Sequence, residues 1–330
     1  MTRRAGKAPP TERDRIRIDC ALLALIALVF AAAADPACAQ AQDLVTRGEY
    51  LVRAGECFSC HTVPGSTPFA GGRALATPFG IFYSPNITPD RETGIGKWTD
   101  ADFVRALRKG IRPDGASYFP VFPYPSFTGI SNEDAIAIKA YLFSLVPVHQ
   151  PNRPHEVSFP FSWRFLQRGW KLLFFTKGPF NGDPHAGTEM NRGAYLVTAL
   201  GHCGECHTPR NVLGAMRKSR WLAGTADGPD DDPVPNITPD PASGIGDWRA
   251  EDIVETLKTG ATPLDSRVKG AMREVVSNST SQLTDADRHA IAIYLKAQKP
   301  IVNSVTDEPD EDLPWYKRFW AWLVNLLSFT

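Results

Sequence analysis

An all-α fold built as two tandem units is predicted by three features of this 330-residue sequence: an internal repeat, apolar stripes at helical spacing in both copies, and glycine stops at matching places. Arg47-Gly48-Glu49-Tyr50-Leu51-Val52 returns as Arg192-Gly193-Ala194-Tyr195-Leu196-Val197. Asn86-Ile87-Thr88-Pro89-Asp90 returns as Asn236-Ile237-Thr238-Pro239-Asp240, and Gly94-Ile95-Gly96 with Trp98 returns as Gly244-Ile245-Gly246 with Trp248. From there the copies keep a constant offset of 150 positions.

Each element of the repeat follows from local chemistry. Phe103, Val104 and Leu107 match Ile253, Val254 and Leu257, one face of a middle helix. Gly110 and Gly260 end that helix as C-terminal glycine caps. Ser131 to Asp134 and Thr284 to Asp287 resemble capping boxes, with Asp for the usual Glu, and open an Ala/Ile-rich last helix ending in Tyr141-Leu142 and Tyr294-Leu295. Each unit reads as helix, cysteine motif, long loop, helix, loop, helix.

The cysteine motifs carry the chemistry. Cys57-Phe58-Ser59-Cys60-His61 and Cys203-Gly204-Glu205-Cys206-His207 have the spacing of c-type haem attachment. Two thiols one helical turn apart reach the two vinyl groups of a porphyrin, and the following histidine binds the iron. A redox dithiol does not need that histidine, and a zinc ribbon wants four ligands close together, whereas these pairs lie 146 positions apart. Two covalently bound haem c groups, with His61 and His207 as axial iron ligands, are expected. The units are then class I cytochrome c domains.

The register also points to the second axial ligand. Such domains supply a methionine before the last helix, and Met272 stands there in the second unit; the bland alternative is a methionine filling core space. The equivalent residue in the first unit is Phe122, which cannot bind iron, and residues 62–148 contain neither Met nor His. The sixth ligand of the first haem is therefore unknown, with Tyr124, His149, His155 and Met190 as candidates and a weak or absent ligand preferred. Trp98 and Trp248 are expected against the haem edge, where the indole N–H donates to a propionate. Asn86 and Asn236 either do similar work or cap a turn.

Composition bounds the rest. The formal net charge is zero, which gives no basis for a nucleic-acid partner. Residues 1–39 read as an export signal: Arg3, Arg4, Lys7, Arg13, Arg15 and Arg17 lead into the apolar run Ala21–Ala34, and Ala37-Cys38-Ala39 offers small residues for cleavage. An uncleaved anchor is the alternative, but fourteen apolar residues fall short of the roughly 20 that span a bilayer. Removing this segment takes six of 36 basic and four of 36 acidic residues, leaving 30 and 32. It also takes Cys20 and Cys38, so every remaining cysteine lies in a haem motif. The periplasm is the expected compartment.

The Arg-Gly-x-Tyr-Leu-Val helix, the paired Asn-Ile-Thr-Pro-Asp and Gly-Ile-Gly-x-Trp segments, and Gly201-His202-Cys203-Gly204-Glu205-Cys206-His207-Thr208-Pro209-Arg210-Asn211 resemble the cytochrome c subunits of membrane-bound bacterial dehydrogenases. Those subunits serve alcohol, gluconate, sorbitol and aldehyde dehydrogenases, and the resemblance covers about residues 44–298. It implies an electron-transfer subunit that takes electrons from a dehydrogenase catalytic subunit and passes them to quinone, a terminal oxidase or a soluble cytochrome. Many such subunits have a third haem domain, which is missing here, and many have Met where this chain has Phe122.

The expected organisation is a signal at 1–39, a first cytochrome domain at 43–148, a linker at 149–188, a second domain at 189–299, and an acidic spacer with an amphipathic aromatic tail at 300–330. The linker is rich in aromatic and leucine residues and reads as interdomain packing in preference to a docking surface. Pro314–Thr330, wound as a helix, reaches about 25 Å, short of a bilayer core of about 30 Å. Its tryptophans and early basic residues suit a membrane surface or a membrane-bound subunit. The rival function is a dihaem peroxidase with an open first haem; a haem-based gas or redox sensor ranks lower.

Overall fold

The computed structural model describes residues 36–229 and 232–305. The expected export signal and the aromatic tail lie outside the described residues, apart from the helical backbone over 36–39. By its contacts the chain divides between Leu44 and Val45, and both halves of the repeat lie in the unit that begins at Val45.

The repeat is visible as a recurrence of elements. The first half contains α1 (Pro36–Ala54), the short attachment helix α2 (Cys57–His61), α3 (Asp100–Lys109), a turn of helix α4 (Tyr124–Phe127) and α5 (Asn132–Ser144). The linker carries α6 (Leu166–Phe174). The second half repeats the order with α7 (Thr188–Tyr195), which continues through a wider turn to Leu200, then α8 (Gly204–His207), α9 (Ala250–Thr259), α10 (Gly270–Asn278) and α11 (Asp285–Lys296).

First and last helices cross at a glycine in both halves. A Cβ on Gly48 would lie 1.9 Å from the Ala137 carbonyl oxygen, and one on Gly193 would lie 1.9 Å from that of Ala290. Only a residue without a side chain lets the two backbones touch there. The middle helices end as their glycines require, with Gly110 at φ 58° and Gly260 at φ 78°, each donating its N–H back into the last turn. Phe103 and Leu107 of α3 and Ile253 and Leu257 of α9 are buried, whereas Val104 and Val254 of the same predicted stripes are half-buried.

The last-helix caps depart from expectation. Ser131 and Thr284 do accept from the N–H groups of Asp134 and Asp287. The two aspartates, however, do not reach back to the caps. Asp134 accepts from Arg47 of its own half at 2.6 Å and from the Tyr195 hydroxyl of the other half at 2.5 Å. Asp287 mirrors it, accepting from Arg192 at 2.6 Å and from Tyr50 at 2.5 Å. A shorter Asp carboxylate buried beside an Arg and a Tyr gains charge-assisted bonds that a solvent-facing box would not give. The repeated Arg-Gly-x-Tyr motif thus holds its own half with Arg and clasps the other with Tyr.

The structure is mostly helical but not wholly so. β1 (Ala74–Thr77) and β2 (Gly80–Tyr83) form a tight antiparallel hairpin, and β3 (Glu156–Val157) of the linker pairs with β2 at Gly80↔Val157. The alternating run Ala74-Leu75-Ala76-Thr77 and the β-prone Ile81-Phe82-Tyr83 carry this local signal. The expectation of an all-α fold is corrected accordingly. The linker is also anchored by α6, whose Lys171 Nζ donates to the carbonyls of Lys109 and Gly110, and whose Trp170 donates to the Leu213 carbonyl.

Candidate functional site

A cavity of about 810 Å³ opens beside the first cysteine motif. That is within the range of about 300–1,000 Å³ typical of cofactor sites. Cys57, Cys60 and His61 stand at its wall, and Leu75, Phe82, Phe103, Leu107, Ile138 and Leu142 supply apolar lining. Trp98 also lines it.

The proximal histidine is oriented by the backbone. His61 Nδ1 lies 2.7 Å from the Pro85 carbonyl oxygen. A carbonyl only accepts, so Nδ1 carries the proton and Nε2 keeps a free lone pair. The second motif repeats this, with His207 Nδ1 2.9 Å from the Pro235 carbonyl oxygen. Burial holds both imidazoles on the neutral side, offset in part by those carbonyls. Pro85 and Pro235 are themselves 150 positions apart, each just before the Asn-Ile-Thr-Pro-Asp segment. The repeat therefore contained the signal for this partner, although the motif alone did not.

The four thiols are held in their neutral form. Burial pushes them up, Cys57, Cys203 and Cys206 to about 12 and Cys60 to about 11. Redox dithiols and zinc ligands need the opposite, a thiolate favoured by its surroundings. Among the described residues no group of three or more His, Cys, Asp or Glu is arranged to hold a metal ion directly. A wide apolar cavity, two thiols one turn apart and an imidazole with its lone pair free fit covalent haem.

Asn86 and Asn236 have a definite task. The Asn86 amide donates to the Val148 carbonyl at 2.7 Å while its oxygen accepts from Thr88; Asn236 does the same with Ile301 and Thr238. These bonds cap the turn at Thr88 and at Thr238 and also tie each long loop to the chain leaving its half, and Asn86 lines the cavity as well. Trp248 is half-buried in the matching loop, and Met272 is half-buried in the first turn of α10.

The candidates for the first haem's sixth ligand separate clearly. Phe122 lines the cavity and packs its ring against Tyr118 and Phe127 at 5.1 and 5.8 Å. Tyr124 is fully buried outside the cavity wall, between Trp170 and Phe175. His149 is exposed beside Asp90 and Glu92, and Met190 is not on the wall. His155 is on the wall, but its Nδ1 accepts from the Tyr83 N–H at 3.2 Å. A neutral His155 therefore carries its proton on Nε2 and offers a donor, not a lone pair. Burial, with Arg164 and Arg112 nearby, favours that neutral form.

Two wall residues were not anticipated from the sequence. Glu56 and His202, each directly before the first cysteine of its motif, both line the first cavity and both have left-handed backbones, φ 56° and 37°. Burial raises the Glu56 carboxyl, and His202 partly offsets this. The attachment helices themselves touch the opposite halves: Asn278 donates to Ser59 at 3.2 Å and Ser126 donates to Glu205 at 2.6 Å, and Arg73 of the loop after the first motif pairs with Glu274 at 2.7 Å.

A helical fold carrying a cysteine-pair and histidine attachment site defines a haem protein of the c type. The chain belongs to the cytochrome c family, whose model matches residues 45–145. It is 47% identical over 259 residues to a diheme cytochrome c-type of Cereibacter sphaeroides, covering 76% of this chain and 84% of that one. It is 42% identical over 289 residues to the alcohol dehydrogenase (quinone) cytochrome c subunit of Gluconacetobacter polyoxogenes, covering 83% of this chain and 61% of the relative. It is 43% identical over 256 residues to the fructose dehydrogenase cytochrome subunit of Gluconobacter japonicus, covering 77% of this chain but only 52% of the relative.

Proposed function

We propose that this chain is a dihaem c-type cytochrome with two tandem haem domains, working in the periplasm as the electron-transfer subunit of a membrane-associated dehydrogenase. It accepts electrons from a separate catalytic subunit and delivers them to quinone, a terminal oxidase or a soluble cytochrome. The observation that carries this reading is the paired geometry at His61 and His207, each beside two thiols and each fixed by a proline carbonyl 150 positions from its counterpart. The names of the relatives support a dehydrogenase partner.

Bound haem supplies an iron that changes oxidation state by one electron. The residues do the rest. Cys57, Cys60, Cys203 and Cys206 would hold the two porphyrins covalently, and His61 and His207 would present Nε2 to iron. Met272 would supply a second ligand in the second half, which would raise that potential. Phe122 keeps an apolar surface where a ligand would stand, so the two sites are unequal. Contacts between each attachment helix and the opposite half support electron passage inside the chain.

Denaturing mass spectrometry of the secreted protein tests the haem count. Two covalent haems are expected, and one after Cys57→Ala with Cys60→Ala; a single haem in the native chain refutes the dihaem reading. Rapid reduction by the co-purified dehydrogenase with its substrate tests the role. A second reading, peroxide reduction at the first haem, draws on Phe122 and on the His155 Nε2–H. Peroxide consumption by the reduced chain alone would favour it.

A further inference from the structure

The linker packs between the halves, but only with one of its faces. Around α6, Phe165, Leu166, Gly169, Leu172 and Leu173 fall on an outward arc of about 120°. Leu172 is 86% exposed and Leu173 70%, and a Cβ on Gly169 would meet nothing within 4 Å. The exposed rings of Phe159, Trp163 and Phe165 continue the surface as a chain, with centroids 4.9 and 5.4 Å apart. Exposed Val212 and Leu213 of the second half flank it, joined to α6 by the Trp170 bond to the Leu213 carbonyl. A contiguous apolar surface of this kind marks an interaction site.

Its charge identifies the occupant. Residues 158–182 contain Arg164, Arg168, Lys171 and Lys177 and no acidic residue; residues 206–226 contain Arg210, Arg217, Lys218 and Arg220 and again none, with Arg210 paired to Glu205 just outside the stretch. The whole chain has 36 basic and 36 acidic residues, so these two stretches are a marked local excess. They are neighbours, since Lys218 Nζ lies 3.4 Å from Thr176 Oγ1. Arg168, Lys177 and Lys218 are exposed. The cores of protein–protein interfaces are poor in lysine, whereas leucine, tryptophan and phenylalanine edged by Lys and Arg are the signature of a helix lying in a lipid headgroup layer.

We propose that the outward face of α6, with the Phe159–Phe165 aromatic chain and the Val212–Leu213 loop, docks on an anionic phospholipid bilayer, lying in the interface without crossing it. No described helix is long and apolar enough to cross a membrane. The inference is independent of the haem count and of the electron donor, and rests on residues other than those of the C-terminal tail.

The full haem-loaded chain should co-sediment with vesicles of phosphatidylethanolamine and phosphatidylglycerol, and much less with phosphatidylcholine alone or in high salt. Leu172→Glu with Leu173→Glu should weaken that binding about tenfold or more, with the haem absorbance unchanged because both side chains are exposed. Val146→Glu, at an 81% exposed apolar residue outside the patch, should bind like the native chain. No binding of the native chain to the anionic vesicles overturns the proposal. So does unchanged binding of the Leu172/Leu173 variant, which would assign lipid contact to another segment. Loss of dehydrogenase capture with vesicle binding intact would assign the face to a protein partner and equally overturns it.

Discussion

The Tyr50 hydroxyl donates at 2.5 Å to Asp287, which lies 237 positions further along the chain, and Tyr195 makes the reciprocal bond to Asp134. Both aspartates are nearly fully buried. Each is therefore a charge that depends on its Arg and Tyr for solvation, and the two halves supply those partners jointly.

Tyr50→Phe and Tyr195→Phe should each lower stability by about 1.5–3 kcal/mol, the range for hydrogen bonds to charged groups. Urea unfolding followed by haem absorbance measures it. Asp287→Ala should cost more than Tyr50→Phe, because it also strips Arg192 of its partner. Equal midpoints for Tyr50→Phe and the native chain would mean that this bond contributes nothing.

The same pair gives a pH dependence. Burial alone would raise the Asp287 carboxyl, but the bonds from Arg192 and Tyr50 outweigh it and hold the group below its ordinary 3.8. A carboxyl lowered on folding contributes fully above its unfolded value and loses that contribution as pH falls through its folded value. Acid unfolding should therefore steepen below about pH 4, and Asp287→Asn should flatten the slope there while lowering stability at neutral pH.

Gly193→Ala should destabilise at or above the upper end of the usual about 1–3 kcal/mol for overpacking. The new methyl would meet a carbonyl oxygen of α11, and backbone cannot rotate away as a side chain can. Gly48→Ala should behave alike. Gly169→Ala, in open space on α6, should be stable to within experimental error or slightly stabilised; thermal melts of the three variants test the contrast.

Phe122→Met should change one haem only. In the reduced native chain, carbon monoxide should bind at the first haem, and the substitution should suppress that binding while raising the haem's potential. Redox titration with absorbance checks both effects. Carbon monoxide binding unaltered by the substitution would show that Phe122 does not border the open iron position.

The helices and attachment motifs were legible because a repeat states everything twice. The stripe of α3 is weak alone and plain beside that of α9. What stayed hidden depended on distance in the chain. Nothing local announces that Asp134 will turn from its own cap to Tyr195, because the competing partner lies 61 positions away. Pairing of β3 with β2 was hidden for the same reason, joining a two-residue strand to a hairpin more than seventy positions earlier. The placement of Tyr124 away from the first cavity followed from α6 and Phe175 covering it, an outcome of linker packing that a residue count before the last helix does not contain.

Because each half presents a tyrosine to its counterpart and receives one in return, the contact has the form of an isologous interface, in which the same patch serves on both sides. Covalent continuity between the halves is then geometrically dispensable. Each half bears both the donor and the acceptor, Tyr50 with Asp134 and Tyr195 with Asp287, so their contact has the two-fold form of a symmetric homodimer within one chain.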